Sequence, residues 1–137
     1  MPLFLWVTLA FIYDVLILIA LSLLLSALFT AGAGENFYQR DVLRTSFQLL
    51  WVIMVAGYYA YSWQKSGQTI GMKAWRLRVT RQDANPLTRM DTMTRLAAAT
   101  LNVFLLNLGW LGYLNQSGLS LTDKLSATRI ERIEKNR

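Results

Sequence analysis

Neither cysteine nor histidine occurs among the 137 residues. Without cysteine there are no disulfides, thiolate metal sites or thiol nucleophiles, and without histidine the usual metal ligand and neutral-pH proton carrier are gone. Metal centres and histidine-based triads are hard to build from what remains, so no metal, no cofactor and no enzymatic activity are expected. Charge is sparse as well: 16% of residues are charged against 54% hydrophobic, with five tryptophans, which is not the composition of an ordinary soluble domain. A basic stretch is also missing ahead of the first apolar run. Ala31, Gly32 and Ala33 resemble a signal-peptide cleavage site, but the run before them is too long, so a retained anchor is expected.

The apolar run from Leu3 to Ala33 exceeds the roughly 20 residues that a helix needs to cross a bilayer. Its one charged residue is Asp14. With helix entry near Phe4, a rise of about 1.5 Å per residue puts Asp14 about 15 Å down, close to the bilayer midplane. An Asp at mid-span is about 2.5 to 3.5 kcal/mol uphill even on lenient scales, so it must be protonated, paired or turned toward a polar interior. A polar stretch around Gly34 to Arg44 leads to a second run, about 46–63, whose far end carries Tyr58, Tyr59, Tyr61 and Trp63, as expected at headgroup level. A third run, about 96–114, contains Asn102, Asn107, Gly109 and Gly112, and reads as either a spanning or a re-entrant helix.

Basic residues set the orientation. The loop 64–95 holds seven (Lys65, Lys73, Arg76, Arg78, Arg81, Arg89, Arg95) against Asp83 and Asp91, so it should be cytoplasmic, and the N-terminus with it. The tail 115–137 carries Lys124, Arg129, Arg132, Lys135 and Arg137 against three acids, which favours a tail that stays inside. Within the loop, Trp75, Leu77 and Val79 alternate with Arg76, Arg78 and Thr80, the period of a half-buried strand. The same residues also fit a basic interfacial helix lying on anionic lipid. Thr128 to Ile133 reads as either a strand or a charged helical turn, and if the tail is inside it could pair with such a strand.

Gly67 and Gly71 bracket Thr69. They make either a nest of backbone amides for an anion or lipid phosphate, or a tight turn. A nucleotide-binding phosphate loop is excluded, because only three residues separate these glycines and Met72 follows. Asp123 reads either as an N-cap or as a group facing Arg95 or Lys73 at the cytoplasmic mouth. The cluster Lys73, Arg76, Arg78 and Arg81 is an anchor for anionic headgroups, and no nucleic-acid-binding module accompanies it.

The run Gly67-Gln68-Thr69-Ile70-Gly71-Met72-Lys73 resembles the GQT-x-G-x-K/R signature of the bacterial RDD family of small membrane proteins. Leu121 to Thr128 is similar to that family's "LhDrlagT" stretch, and Phe11 to Asp14 to its first-helix Asp motif. The resemblance maps the family's two aspartates to Asp14 and Asp123, whereas the expected arginine position holds Trp6 and Val7. Arg44 and Arg95 are the candidates to replace that arginine. The resemblance implies a helical domain of the inner membrane with a role in transport and, for some members, sodium/proton antiport.

The expected architecture is therefore a single all-α membrane domain over 1–137. It has two transmembrane helices, a third spanning or re-entrant helix, and a small cytoplasmic loop-and-tail element that can include a short β-pair. The leading function is cation/proton exchange centred on Asp14, with Asp123, Asn102 and Asn107 as coupling or lining groups. A homo-oligomer is expected, since so small a protomer encloses no pore. The alternative is a non-transporting scaffold or accessory subunit that binds a larger membrane partner or anionic lipid, with Gly67, Gln68, Thr69, Gly71, Lys73, Arg76 and Arg78 facing the headgroups.

Overall fold

The computed structural model describes residues 2–134, so Lys135 and Arg137 lie outside the described residues. Helix α1 runs from Leu3 to Ala33 with no internal proline or glycine break before Gly32, and it stops at Gly34, whose φ of 92° a side chain would resist. A 3-10 turn at Phe37–Gln39 reverses the chain. Its Phe37 is buried between Phe29 and Phe47, with ring centroids 5.3 Å from each. Helix α2 then spans Asp41–Ser66, longer at both ends than the apolar run suggested, because polar residues at a membrane surface extend a helix without penalty. The indole of Trp51 donates to Ser22 Oγ (2.8 Å) to tie the two helices together. Both helices are long and apolar enough to cross a membrane.

Helix α2 ends in a left-handed Gly67 (φ 67°), whose carbonyl accepts from Val79 N–H at 2.7 Å; a Cβ there would sit 2.8 Å from the Val79 oxygen. A single helical turn, α3 (Ile70–Ala74), follows, capped by Thr69. Strand β1 is Leu77–Arg81 and pairs antiparallel with β2, Thr128–Arg132, in the register Val79↔Ile130. The strand reading holds over Leu77–Arg81, whereas a single interfacial helix through Ile70, Trp75 and Val79 does not form, because helix is confined to Ile70–Ala74. The strand begins two residues later than the alternation indicated, because Arg76 takes a positive φ of 56° and leaves Trp75 and Arg76 outside it. Leu77, Val79 and Ile130 point into a core shared with Val7, Ala10, Trp63, Met72 and Tyr113.

Helix α4 spans Arg89–Phe104 and opens with a Thr88/Asp91 capping box. It breaks at Leu106 and Asn107, both left-handed, and a 3-10 segment, Leu108–Leu114, leaves at 106° to it. The third apolar run is thus a bent pair and not one straight helix over 96–114. Non-helical backbone survives at membrane depth only where the protein satisfies it. Asn102 does this: its backbone carbonyl accepts from Asn107 N–H (2.8 Å) and its side-chain oxygen from Gly109 N–H (2.9 Å). Helix α5, Leu121–Ser126, and strand β2 complete the chain. Because β2 pairs with β1, the chain on either side of the bent α4 and 3-10 pair meets in one sheet.

This platform packs around the first three turns of α1. From Asp14 to Ala33 the helix rises about 28 Å, nearly the full hydrocarbon thickness of about 30 Å. Asp14 lies where α3 packs on α1, and the stretch beyond it is by itself almost long enough to cross a bilayer core. Beyond it Leu16, Leu23, Leu24 and Leu28 are exposed, as lipid-facing residues should be.

Candidate functional site

The Thr69–Gly71 turn folds α3 down onto α1, and the group it meets is Asp14, which is only 3% exposed. Oδ1 accepts from Gly71 N–H (2.8 Å) and from the Tyr58 hydroxyl (2.6 Å), and Oδ2 accepts from the Thr69 hydroxyl (2.5 Å). The direction of both hydroxyls is fixed by what they accept in turn. Ile70 N–H donates to Tyr58 Oη (3.2 Å) and Met72 N–H to Thr69 Oγ1 (3.1 Å), leaving each hydroxyl proton for the carboxylate. Gly71 is required sterically as well: a Cβ on it would overlap the Ala10 carbonyl and lie 2.8 Å from Asp14 Cγ. One amide of the glycine turn, that of Gly71, meets the protein's own Asp14 carboxylate directly, and those of Ile70 and Met72 reach it only through the Tyr58 and Thr69 hydroxyls. Gln68 braces the turn by donating from Nε2 to Leu77 O at 2.6 Å.

A second polar centre lies across the platform. Arg95 on α4, 4% exposed, donates from Nη1 to Asp123 Oδ1 (2.7 Å) and to Thr128 Oγ1 (2.7 Å). Asp123 also accepts from Ser120 N–H through Oδ2 (3.2 Å). It is thus the third residue of a capping box whose N-cap is Ser120, not the N-cap itself. Ser126 Oγ spends its proton on Thr122 O (2.7 Å), so the Thr128 hydroxyl donates to Ser126 (2.6 Å). Gln82 closes the ring by donating to the carbonyls of Asp123 (3.2 Å) and Thr128 (3.0 Å). One guanidinium therefore fastens α4 to α5 and β2.

Of the two arginines considered as partners for Asp14, neither serves. Arg95 is committed to Asp123, as one of the readings of Asp123 anticipated, and Lys73 is exposed. Arg44 pairs with Asp41 (3.0 Å) at the start of α2, where both side chains are largely exposed. Trp6, at the position expected for the arginine, stacks on Trp75 (5.4 Å) and lies under the guanidinium of Arg132, 4.1 Å from its ring centroid. Arg76 and Arg78 are exposed, with Lys73, on the outer face of the platform. Asn102 clamps the α4 break and meets Asn107 at 3.4 Å, and both line the same cavity as Asp14. Thr8 and Ser22 donate to the backbone of their own helix. Among the described residues, no acidic cluster could hold a metal ion. Ser120 and Gln82 were not singled out by sequence, while Tyr58 was read only as a headgroup-level ring and Thr128 only as the edge of a family-like stretch and a candidate strand; apart from the Ser120-x-x-Asp123 spacing no local signal marks their roles here.

Between α1, α2, α4 and the 3-10 segment lies a cavity of about 510 Å³. Its deep walls include Trp51, Val52, Val103 and Phe104, and its platform end reaches Trp63, Arg95, Thr69 and Asp14.

The model of the RDD family matches residues 8–127, which include both aspartates, the glycine turn and Arg95. No curated protein and no solved structure matches the chain.

Proposed function

The chain belongs to the RDD family, and from that premise we propose that it is a non-transporting scaffold or accessory domain of the membrane, not an ion exchanger. The observation that supports this reading is the three-donor shell of Asp14, built from Tyr58, Thr69 and Gly71 of the same chain. An exchanging carboxylate must release its partners to take a cation. Here release would unseat α3, and with it the attachment of the platform to α1. The Arg95–Asp123 pair has a similar character, since breaking a buried pair leaves an uncompensated charge. In this reading both motif aspartates hold a rigid platform against the membrane. The basic outer face at Lys73, Arg76 and Arg78 meets anionic headgroups, and the positive-inside bias makes that face cytoplasmic in a bacterial inner membrane. A larger membrane partner or a second copy docks on the lipid-facing helices.

The test is ion flux in proteoliposomes. Wild-type protein, reconstituted and shown to be folded, is expected to move neither protons nor sodium above protein-free vesicles. Flux that scales with protein content would overturn the proposal and restore exchange at Asp14.

A further inference from the structure

Strand β2 has one edge inside the sheet and one outside it. Ile133 N–H donates to Arg76 O (2.7 Å) and Gln82 N–H to Ala127 O (3.1 Å), whereas Val79, opposite Ile130, sends its N–H away from β2 to Gly67 O (2.7 Å). Main-chain groups alternate sides along a strand, so those of Thr128, Ile130 and Arg132 point away from β1. The Thr128 carbonyl accepts from Gln82 Nε2 (3.0 Å). Among the described residues, nothing in the protein pairs with the N–H or C=O of Ile130 or Arg132. Ile130 buries its side chain in the core and also borders an open groove of about 530 Å³, lined by Ser117, Gly118 and Leu119 on the side away from β1. An unpaired edge is a template for another strand, and edges guarded against pairing carry lysine or proline; the sequence of β2 has neither. Its outward side chains instead alternate in sign, with Arg129 and Glu131 each about half exposed.

We propose that a second copy of the chain pairs here, β2 against β2, antiparallel about a twofold axis centred on Ile130. In that register the two Ile130 residues exchange main-chain hydrogen bonds, Thr128 of each copy faces Arg132 of the other, and Arg129 of each faces Glu131 of the other. A shift of one residue is excluded, because it would offer main-chain groups already spent on β1. A shift of two residues sets Glu131 against Glu131 in one direction and Arg129 against Arg129 in the other, and like charges directly opposite destabilise a strand pair. Parity and charge therefore select the same register. The twofold closes the assembly at two copies, the commonest symmetry of homo-oligomers. This contact joins platforms and not membrane helices, and it stands whether the chain is a scaffold or a transporter.

The experiment uses the full chain, which has no cysteine of its own. Arg129→Cys and Glu131→Cys proteins with different tags are reconstituted together in vesicles and mildly oxidised. The mixture is expected to yield a disulfide-linked pair carrying both tags, because directly opposed residues of a non-hydrogen-bonded pair stand about 4.5 Å apart at Cα, within disulfide reach. Either protein alone should link poorly, its two cysteines being offset by two residues along the strands. The Arg78→Cys, Glu131→Cys pair within one chain confirms that oxidation has worked. In micelles, dilution reads the dimer directly: Arg129→Glu sets like charges opposite each other twice and should weaken association about tenfold, and adding Glu131→Arg should restore it. A thermal melt of each variant separates lost pairing from lost folding. A mixture that links no better than either protein alone, a wild-type chain that is monomeric at every concentration, or a dimer indifferent to Arg129→Glu would each overturn the proposal.

Discussion

Replacing Asp14 by Asn removes a charge while preserving shape, and its consequence can be worked out atom by atom. The carboxamide oxygen can stand in for Oδ1 and keep Gly71 N–H and Tyr58 Oη–H, but those bonds lose their charge assistance, which roughly doubles the strength of a hydrogen bond. The amide nitrogen then replaces Oδ2 and points donor to donor at the Thr69 hydroxyl, whose proton must turn away and whose oxygen already accepts from Met72. Two weakened bonds at about 1 kcal/mol each and one displaced buried donor at about 1–2 kcal/mol give a destabilisation of about 3–4 kcal/mol. The loss should be concentrated at the α3 latch. At about 1.4 kcal/mol per decade, hydrogen exchange at the Gly71 amide should accelerate by about two to three orders of magnitude, while the α1–α2 hairpin far from the platform keeps its protection. The assay is hydrogen exchange by mass spectrometry in micelles, with a thermal melt of the same sample. An Asp14→Asn variant that melts within about 0.5 kcal/mol of wild type and keeps Gly71 protected would refute the latch, because the carboxylate would then be carrying no structural weight.

Gly71→Ala should be at least as damaging as a typical overpacking change of about 1–3 kcal/mol, since its Cβ meets helix backbone and Asp14, neither of which can yield; thermal melting in detergent reads this directly. Arg95→Met should cost about 3–5 kcal/mol by stranding Asp123, and adding Asp123→Leu should restore a large part of the loss; a double variant no better than the single would contradict the pairing. Because the chain has no native cysteine, Arg78→Cys with Glu131→Cys places a thiol pair at directly opposed positions of β1 and β2. Mild oxidation in vesicles should cross-link this pair, whereas Arg78→Cys with Arg129→Cys, out of register, should cross-link poorly; a tail on the opposite side of the membrane would leave both uncross-linked.

Much of the fold could be read locally. The apolar run of α1, the aromatic end of α2 and the alternation of Leu77 and Val79 with arginines are patterns of period and composition, and each produced the element it suggested. The strand began late because a positive φ at Arg76 is invisible to alternation. The polar residues Asn102 and Asn107 signalled that the third run was unusual, but composition could not choose between a span and a bent pair. That choice rests on Asn102 reaching across the break to Gly109. Counting from Phe4 gave Asp14 a depth but not its partners, the Gly71 amide and the Tyr58 and Thr69 hydroxyls, which come from the packing of α3 and α2 on α1.

The sequence by itself determined that the chain resides in a membrane, how many apolar segments it has, and which motif residues are out of place in that setting, because hydrophobic length, charge bias and periodicity are properties of contiguous residues. Only the tertiary structure decided what those residues do. Asp14 and Gly71 are 57 positions apart, and Arg95 and Asp123 are 28 apart. A buried carboxylate takes whichever donors the folded chain brings to it, and no local pattern specifies which distant backbone amide or guanidinium will arrive.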